Sequence, residues 1–101
     1  MTVEVPERDG DGFLLDMSLW NEDIMHAMAA ADDVEMTEEK IAYIMKARAM
    51  YEEDQMVPRI REFGKALGMD RKAKPLYEAF ESGPMKQIAK YGGLPKPTGC
   101  V

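Results

Sequence analysis

The chain has 101 residues, a formal net charge of −6 and 46% hydrophobic residues, which is typical of one soluble domain with a modest core. It contains no apolar run near the roughly 20 residues that a membrane-spanning helix needs, and its acidic N-terminus lacks the pattern of a signal peptide. The acidic balance argues against a nucleic-acid binder, because neutralising phosphates requires basic side chains. A single cysteine agrees with a reducing compartment, so we expect a cytoplasmic protein with no membrane partner.

The first 15 residues predict a short β-hairpin. TVEV at 2–5 alternates polar and apolar residues, DGDG at 9–12 is rich in turn-forming residues, and an apolar FLL follows at 13–15. Two short apolar segments around such a turn are typical of a hairpin.

Two longer helices are predicted next. Asn21 is a suitable N-cap for the first, which stops at the acidic pair at 32–33, and Thr37 is a suitable N-cap for the second, which runs to about Asp54. The stripe expected to be buried in the first helix is Ile24, Met25, Met28 and Ala31. In the second helix it is Ile41, Ile44, Met45, Arg48 and Ala49, with Arg48 at its edge.

Three shorter helices follow, each with proline at its start and glycine past its end. Their expected limits are Pro58 to Gly68, Pro75 to Gly83, and Pro84 to Gly92. The predicted fold is therefore mainly α: a small domain of about five short, angled helices over 1–92, with an N-terminal hairpin and a flexible C-terminal arm over 93–101.

Most candidate sites in the body of the domain are weak. His26, the only histidine, has no cysteine partner and no carboxylates at a metal-ligand spacing, so surface or half-buried histidine is the expected role. DGDG lacks the remainder of a calcium-binding loop, and the acidic stretches are expected to be solvated. The segment PRIREFGKALG has the form of a helix-turn-helix, but it carries few basic side chains. We predict no metal and no cofactor.

The tail GGLPKPTGCV places the only cysteine, Cys100, one residue from the end of the sequence, where a packing role is least expected. Two glycines after a helix suggest a hinge, and two prolines favour an extended segment, so nine residues reach roughly 25 Å at about 3.1 Å each. A thiol at the tip of such an arm suits sulfur delivery to a partner. The residues expected to shape the arm are Gly92, Gly93, Pro95, Pro97 and Gly99.

The reactive form of Cys100 is the thiolate, so nearby charges matter. The terminal carboxylate of Val101 disfavours ionisation, whereas Lys96, and Lys86 or Lys90 if the arm folds back, favour it.

The stretch GPMKQIAKYGGLPKPTGCV closely resembles the C-terminus of the DsrC/TusE family of sulfur-carrier proteins. DGDGFLLDMSLWNEDI and MTEEKIAYIMKARAMYEEDQMVPRIREFGKAL resemble its upstream part more loosely. The resemblance implies a helical fold with an N-terminal hairpin and a mobile C-terminal arm that carries a persulfide on Cys100. It also implies that Arg61 matches the family's arginine after the central proline. Ala89 occupies the position of a second cysteine found in members that serve dissimilatory sulfite reductase, so the single-cysteine, TusE-like branch is the nearer match.

The leading hypothesis is that the protein carries sulfur in a relay that serves tRNA thiolation or sulfur oxidation and reduction. In this role it is a carrier more than a stand-alone catalyst. Its expected partners are sulfurtransferases and sulfite-reductase or heterodisulfide-reductase-like complexes. The residues expected to stabilise the anionic sulfur are Lys86, Lys96 and Arg61. The alternatives are a redox-sensing or regulatory module that uses Cys100, a substrate-like gamma partner of dissimilatory sulfite reductase, and a DNA-binding helix-turn-helix protein.

Overall fold

A computed structural model of the chain describes residues 4–70, 72–80 and 83–96. Within these ranges the fold is mainly α. The helices are α1 (Glu22–Ala31), α2 (Glu38–Asp54), α3 (Ile60–Ala66), α4 (Lys74–Phe80) and α5 (Pro84–Tyr91), and a short 3-10 helix precedes them at Met17–Leu19. Of the helices so described, none is long and apolar enough to cross a membrane.

The starts of the two longer helices follow the predicted capping residues. The Asn21 side chain accepts a hydrogen bond from the Ile24 N–H at 2.8 Å, and the Thr37 hydroxyl accepts one from the Lys40 N–H at 3.2 Å. Each bond satisfies one of the backbone donors that have no partner inside the helix. Both predicted N-caps are confirmed, as are the ends of the two helices within a residue or two.

Helix α5 lies at the centre of the fold and packs against α1, α2 and α4. It begins at Pro84 and ends before Gly92, as predicted. In addition to Pro84, four of its side chains are almost completely buried. They are Met85, Ile88, Ala89 and Tyr91. Because the chain continues directly from α5 into the C-terminal arm, the best-packed helix also carries the start of the arm.

The predicted N-terminal hairpin is not seen. Between residue 4 and the 3-10 helix there is no strand, only one isolated antiparallel bridge between Arg8 and Leu14 around a turn closed by the Gly12 N–H and the Asp9 carbonyl at 3.0 Å. Pro6 has no N–H to donate to a longer ladder, and residues 1–3 of the predicted first strand lie outside the described ranges.

The predicted buried stripes are partly wrong. Met45 is 39% exposed and Ala49 is exposed, whereas Ala47 is fully buried beside Ile44. Ala31 of α1 is exposed, and Ala29 is buried in its place. Apolar residues are spread around these helices, so several stripes fit the helical period, and the positions of α4 and α5 select the one that is buried.

The register of α2 can be tested by urea unfolding. We expect Ile44→Ala to lower the free energy of unfolding by about 3 kcal/mol, because it removes buried methyl groups and leaves a cavity. The matched variant Met45→Ala should cost much less, because its side chain is substantially exposed. Equal losses in the two variants would contradict the observed register.

Candidate functional site

We define the arm root as Tyr91–Leu94, which comprises the last residue of α5 and the three residues that follow it. All four residues are buried. Trp20, which follows the 3-10 helix, donates its indole N–H to the Tyr91 carbonyl at 2.6 Å. This bond satisfies a carbonyl that has no partner inside α5.

Arg48 of α2 holds the next carbonyl. Its guanidinium donates to the Gly92 carbonyl and stacks on the Trp20 ring, with 3.7 Å between the guanidinium carbon and the ring centroid. Burial lowers the pKa of Arg48, but an arginine remains charged at neutral pH. We call Trp20 and Arg48 the clamp, because together they bind two consecutive carbonyls of the arm root.

Neither glycine of the root has room for a side chain. A Cβ on Gly93 would lie 2.5 Å from a ring carbon of Trp20, and its φ of +65° is in the left-handed region that favours glycine. A Cβ on Gly92 would lie 2.8 Å from the Ile88 carbonyl oxygen. Gly93 therefore does more than provide flexibility, since it lets the backbone pack directly against Trp20, and Gly92 leaves room for the carbonyl of the preceding helical turn.

The Tyr91 side chain is anchored separately. Its hydroxyl donates to a carboxylate oxygen of Asp32 at 2.9 Å, and Arg8 binds both oxygens of the same carboxylate, also at 2.9 Å. The hydrogen bonds from Arg8 are the main cause of a lowered pKa at Asp32, which burial opposes and Tyr91 assists. Burial and the neighbouring carboxylate raise the pKa of Tyr91, so the phenol remains a neutral donor at physiological pH.

Lys96, two residues beyond the root, contacts the N-terminal turn. Its ammonium group lies 2.7 Å from a carboxylate oxygen of Asp11 and 3.2 Å from one of Asp9. Hydrogen bonding to Lys96 is the main cause of the lowered pKa of Asp11, and hydrogen bonds to the two carboxylates raise the pKa of Lys96. The acidic turn that was expected to be simply solvated thus holds a cation of the arm.

The other predicted site residues are not brought to one place. Lys86 is exposed on α5, where its charge contributes to the lowered pKa of Asp11. Arg61 is exposed on α3 and has no salt bridge within the described part of the chain. Pro95 is half-buried. The predictions for Pro97, Gly99 and Cys100 lie outside the described residues.

An open pocket of about 270 Å³ lies beside the arm root. Gly93 and Leu94 form one side of it, and Met17, Tyr51 and Arg48 contribute to the rest. Across residues 4–70, 72–80 and 83–96 there is no group of three or more histidine, cysteine or acidic side chains placed to hold a metal ion, and His26 is exposed as expected.

A protein-family profile described as DsrC like protein matches residues 2–101, which includes the arm root and the whole tail. The chain belongs to the DsrC-like family. The resemblance of the tail is thereby confirmed.

Relatives and solved structures of this family match along nearly the whole chain. The sulfurtransferase TusE homolog of Haemophilus influenzae is 39% identical, over 98% of this chain and 94% of that protein. The NMR structure of Allochromatium vinosum DsrC is 39% identical, with a TM-score of 0.78 over 99% of this chain and 97% of that one. The oxidized gamma-subunit of the dissimilatory sulfite reductase (DsrC) from Archaeoglobus fulgidus is 32% identical, with a TM-score of 0.79 over 95% of this chain and 92% of that one. This DsrC-like chain is therefore a sulfur-relay protein of the DsrC/TusE type.

The sequence analysis missed both residues of the clamp in this DsrC-like chain. Arg48 was placed at the edge of an apolar stripe, and an arginine in that position is a signal that its charged group needs a specific partner. Trp20 carries an N–H that requires an acceptor when buried. Neither signal identifies the acceptor, because Tyr91 is 71 residues from Trp20 and Gly92 is 44 residues from Arg48.

The Asp32 network predicts a pH dependence of stability. The pKa of Asp32 is lower in the folded protein than the ordinary value of about 3.9. The stabilisation is therefore present above that ordinary value and is lost as the pH falls through the folded pKa. We expect Asp32→Asn to lower the free energy of unfolding by about 1 to 2 kcal/mol at pH 7, and its difference from the wild type should shrink below about pH 4.

Urea unfolding at pH 7 and at pH 3 measures this difference. The matched control is Asp33→Asn, which makes the same charge change at the adjacent exposed residue. A loss for Asp32→Asn that is no larger than the control, or that persists unchanged at pH 3, would contradict the role of the ionised carboxylate.

The close packing at Gly93 can be separated from its backbone conformation. Gly68 also has a positive φ, +77°, but open space where a Cβ would lie. Alanine at either position adopts the unfavourable left-handed conformation, and only Gly93→Ala must also displace Trp20. We expect Gly93→Ala to lower the unfolding free energy by about 1 to 3 kcal/mol more than Gly68→Ala, as measured by thermal or urea denaturation. Matching losses would mean that Trp20 is free to move aside.

Proposed function

We propose that this protein is a cytoplasmic sulfur carrier that accepts a sulfane sulfur on Cys100 and passes it to an acceptor protein. The observation that carries the proposal is the family match through residue 101, which includes a tail whose only cysteine is penultimate. The anchored arm root gives further support, because a carrier thiol needs an arm with a defined starting point on the domain.

The chemistry of loading needs no separate oxidant. The Cys100 thiolate attacks the terminal sulfur of a donor persulfide, a new S–S bond forms on Cys100, and the donor S–S bond breaks. The donor leaves as a thiolate, while the proton stays on the transferred sulfur. Onward transfer repeats the same exchange, with a nucleophile of the acceptor attacking the terminal sulfur.

Three cations were predicted to stabilise the anionic sulfur, and they differ in what they already bind. Lys96 lies four residues before Cys100 but is shared by Asp9 and Asp11, so its positive charge is largely balanced while that contact holds. Neither Lys86 nor Arg61 has a salt bridge within the described ranges. We therefore propose Lys86 and Arg61 as cations available to a partner complex, and Lys96 as available once it leaves the two carboxylates.

A second candidate is a partner of dissimilatory sulfite reductase, which is favoured by the structural similarity to the gamma-subunit from Archaeoglobus fulgidus. In this chain Ala89 is buried in the core, and Cys100 is the only cysteine. An intramolecular disulfide cannot form, so any such role would use single-cysteine chemistry. Direct binding to that enzyme without gain of sulfur on Cys100 would favour this candidate.

Intact-protein mass spectrometry after incubation with a persulfide donor tests the carrier function. We expect the wild type to gain one sulfur, about 32 Da, which a reductant removes. Cys100→Ser should gain none, while its circular dichroism spectrum stays that of the wild type. A gain of sulfur by the variant, or no gain by a wild-type thiol that an alkylating reagent shows to be free, would overturn the proposal.

A further inference from the structure

We propose that Trp20 and Arg48 are positioning residues that set the direction in which the C-terminal arm leaves the domain. The inference rests on the proposed function for its purpose, since it assigns the clamp to the element that would carry sulfur. The positioning role itself is argued only from the contacts of the described residues.

The two members of the clamp reach the arm root from separate parts of the fold. Trp20 follows the 3-10 helix, whereas Arg48 lies in the second half of α2. They bind the carbonyls of Tyr91 and Gly92, which are consecutive along the chain. Because two adjacent peptide units are held from two directions, the chain cannot turn at either unit without breaking a partly buried hydrogen bond.

The clamp also acts as one unit. The guanidinium carbon of Arg48 lies over the Trp20 ring, 3.7 Å from its centroid, and a planar guanidinium can stack on a ring in a way that an ammonium group does not reproduce. Gly93 packs against the same tryptophan, since a Cβ added at Gly93 would lie 2.5 to 2.6 Å from the Cβ, Cγ and Cδ1 atoms of Trp20. Movement of either clamp residue would therefore disturb the contacts of the other.

The direction fixed at the root is visible two residues further along the arm. The Leu94 N–H donates to the Ala89 carbonyl at 2.9 Å, and its side chain is buried. The chain then brings Lys96 to 2.7 Å from Asp11. The presence of the ion pair between Lys96 and Asp11 can therefore be used to detect the direction of the arm after the clamp.

A simpler role for the clamp is to cap the C-terminal end of α5, whose last carbonyls have no partners inside the helix. Capping alone predicts that a weakened clamp lowers stability and leaves the pairing of Lys96 unchanged. Positioning predicts that the pairing of Lys96 is lost as well. The titration of Asp11 separates the two roles, because hydrogen bonding to Lys96 is the main cause of its lowered pKa, with smaller effects from Lys86 and Asp9.

The experiment is an NMR titration of the Asp11 carboxyl in the full chain. We expect Arg48→Met to raise the pKa of Asp11 toward the value seen in Lys96→Met, which removes the partner directly. Trp20→Phe, which keeps an aromatic ring but loses the N–H donor, should act in the same direction. The Leu94 amide should exchange with solvent about five-fold faster in both variants, the effect of losing one ordinary hydrogen bond.

Lys46→Met is the matched control, because it removes one positive charge from an exposed position of the same helix. It should leave both the Asp11 titration and Leu94 exchange unchanged. If Arg48→Met does not fold, Arg48→Lys retains the charge without the planar guanidinium and serves in its place. If folded variants of both clamp residues keep the wild-type pKa of Asp11, the proposal is overturned and only the capping role remains.

The titration is independent of sulfur chemistry, so the two proposals can fail separately. If Cys100 gains no sulfur but Asp11 shifts as expected, the carrier function fails and the positioning role stands. If Cys100 gains sulfur and the pKa of Asp11 does not change in the clamp variants, the positioning role fails and the carrier function stands.

Discussion

The main structural constraint in this molecule is that the backbone carbonyls at the end of α5 need hydrogen-bond donors from elsewhere in the chain. The last carbonyls of a helix have no partners within it, and here the chain must continue through buried surroundings for three more residues. Trp20 and Arg48 supply donors to the carbonyls of Tyr91 and Gly92. The arm therefore starts from a fixed and well-satisfied piece of backbone, and the packing of α5 against three other helices keeps that starting point in place.

Contacts along the arm change in character with distance from the domain. At the root, the residues are buried and their hydrogen bonds to the clamp are partly buried, so these contacts are less affected by salt than exposed ion pairs are. At Lys96, the contacts are ion pairs to Asp9 and Asp11 with half-exposed side chains, and exposed pairs of this kind are weak and screened by salt. This gradation suits the proposed carrier, which requires an anchored base and a tip that a partner can draw away from the domain.

The acidic composition also has a specific use in this structure. Asp32 joins Arg8 to the Tyr91 hydroxyl, and the acidic turn at 9–12 holds Lys96. From residue 4 onward, the N-terminal segment is thereby tied to the end of α5 and to the arm, although within those residues it forms only a single β-bridge with itself. A pattern that suggested a hairpin is instead part of the support for the arm.

The local features of the fold were predictable because they depend on neighbouring residues. Asn21 and Thr37 begin helices through side-chain bonds that span three residues, and proline and glycine limit α5 through their own backbone restrictions. The tail with Cys100 was likewise enough to indicate the family, which the match over residues 2–101 confirmed. The buried face of α2 was predicted less well, because apolar residues around that helix fit more than one stripe.

The sequence by itself determined where α1, α2 and α5 begin and end, the presence of one cysteine near the chain end, and the glycines that precede it, whereas α3 begins at Ile60 and α4 at Lys74, not at the predicted Pro58 and Pro75. Only the tertiary structure decided what those glycines do, since Gly93 is required by a tryptophan 73 positions earlier in the chain. It also decided that Arg48 binds a backbone carbonyl and that Lys96 binds the N-terminal turn. These contacts join residues far apart in sequence, and their partners are set by the way α2 and α5 pack, for which no local pattern provides a signal.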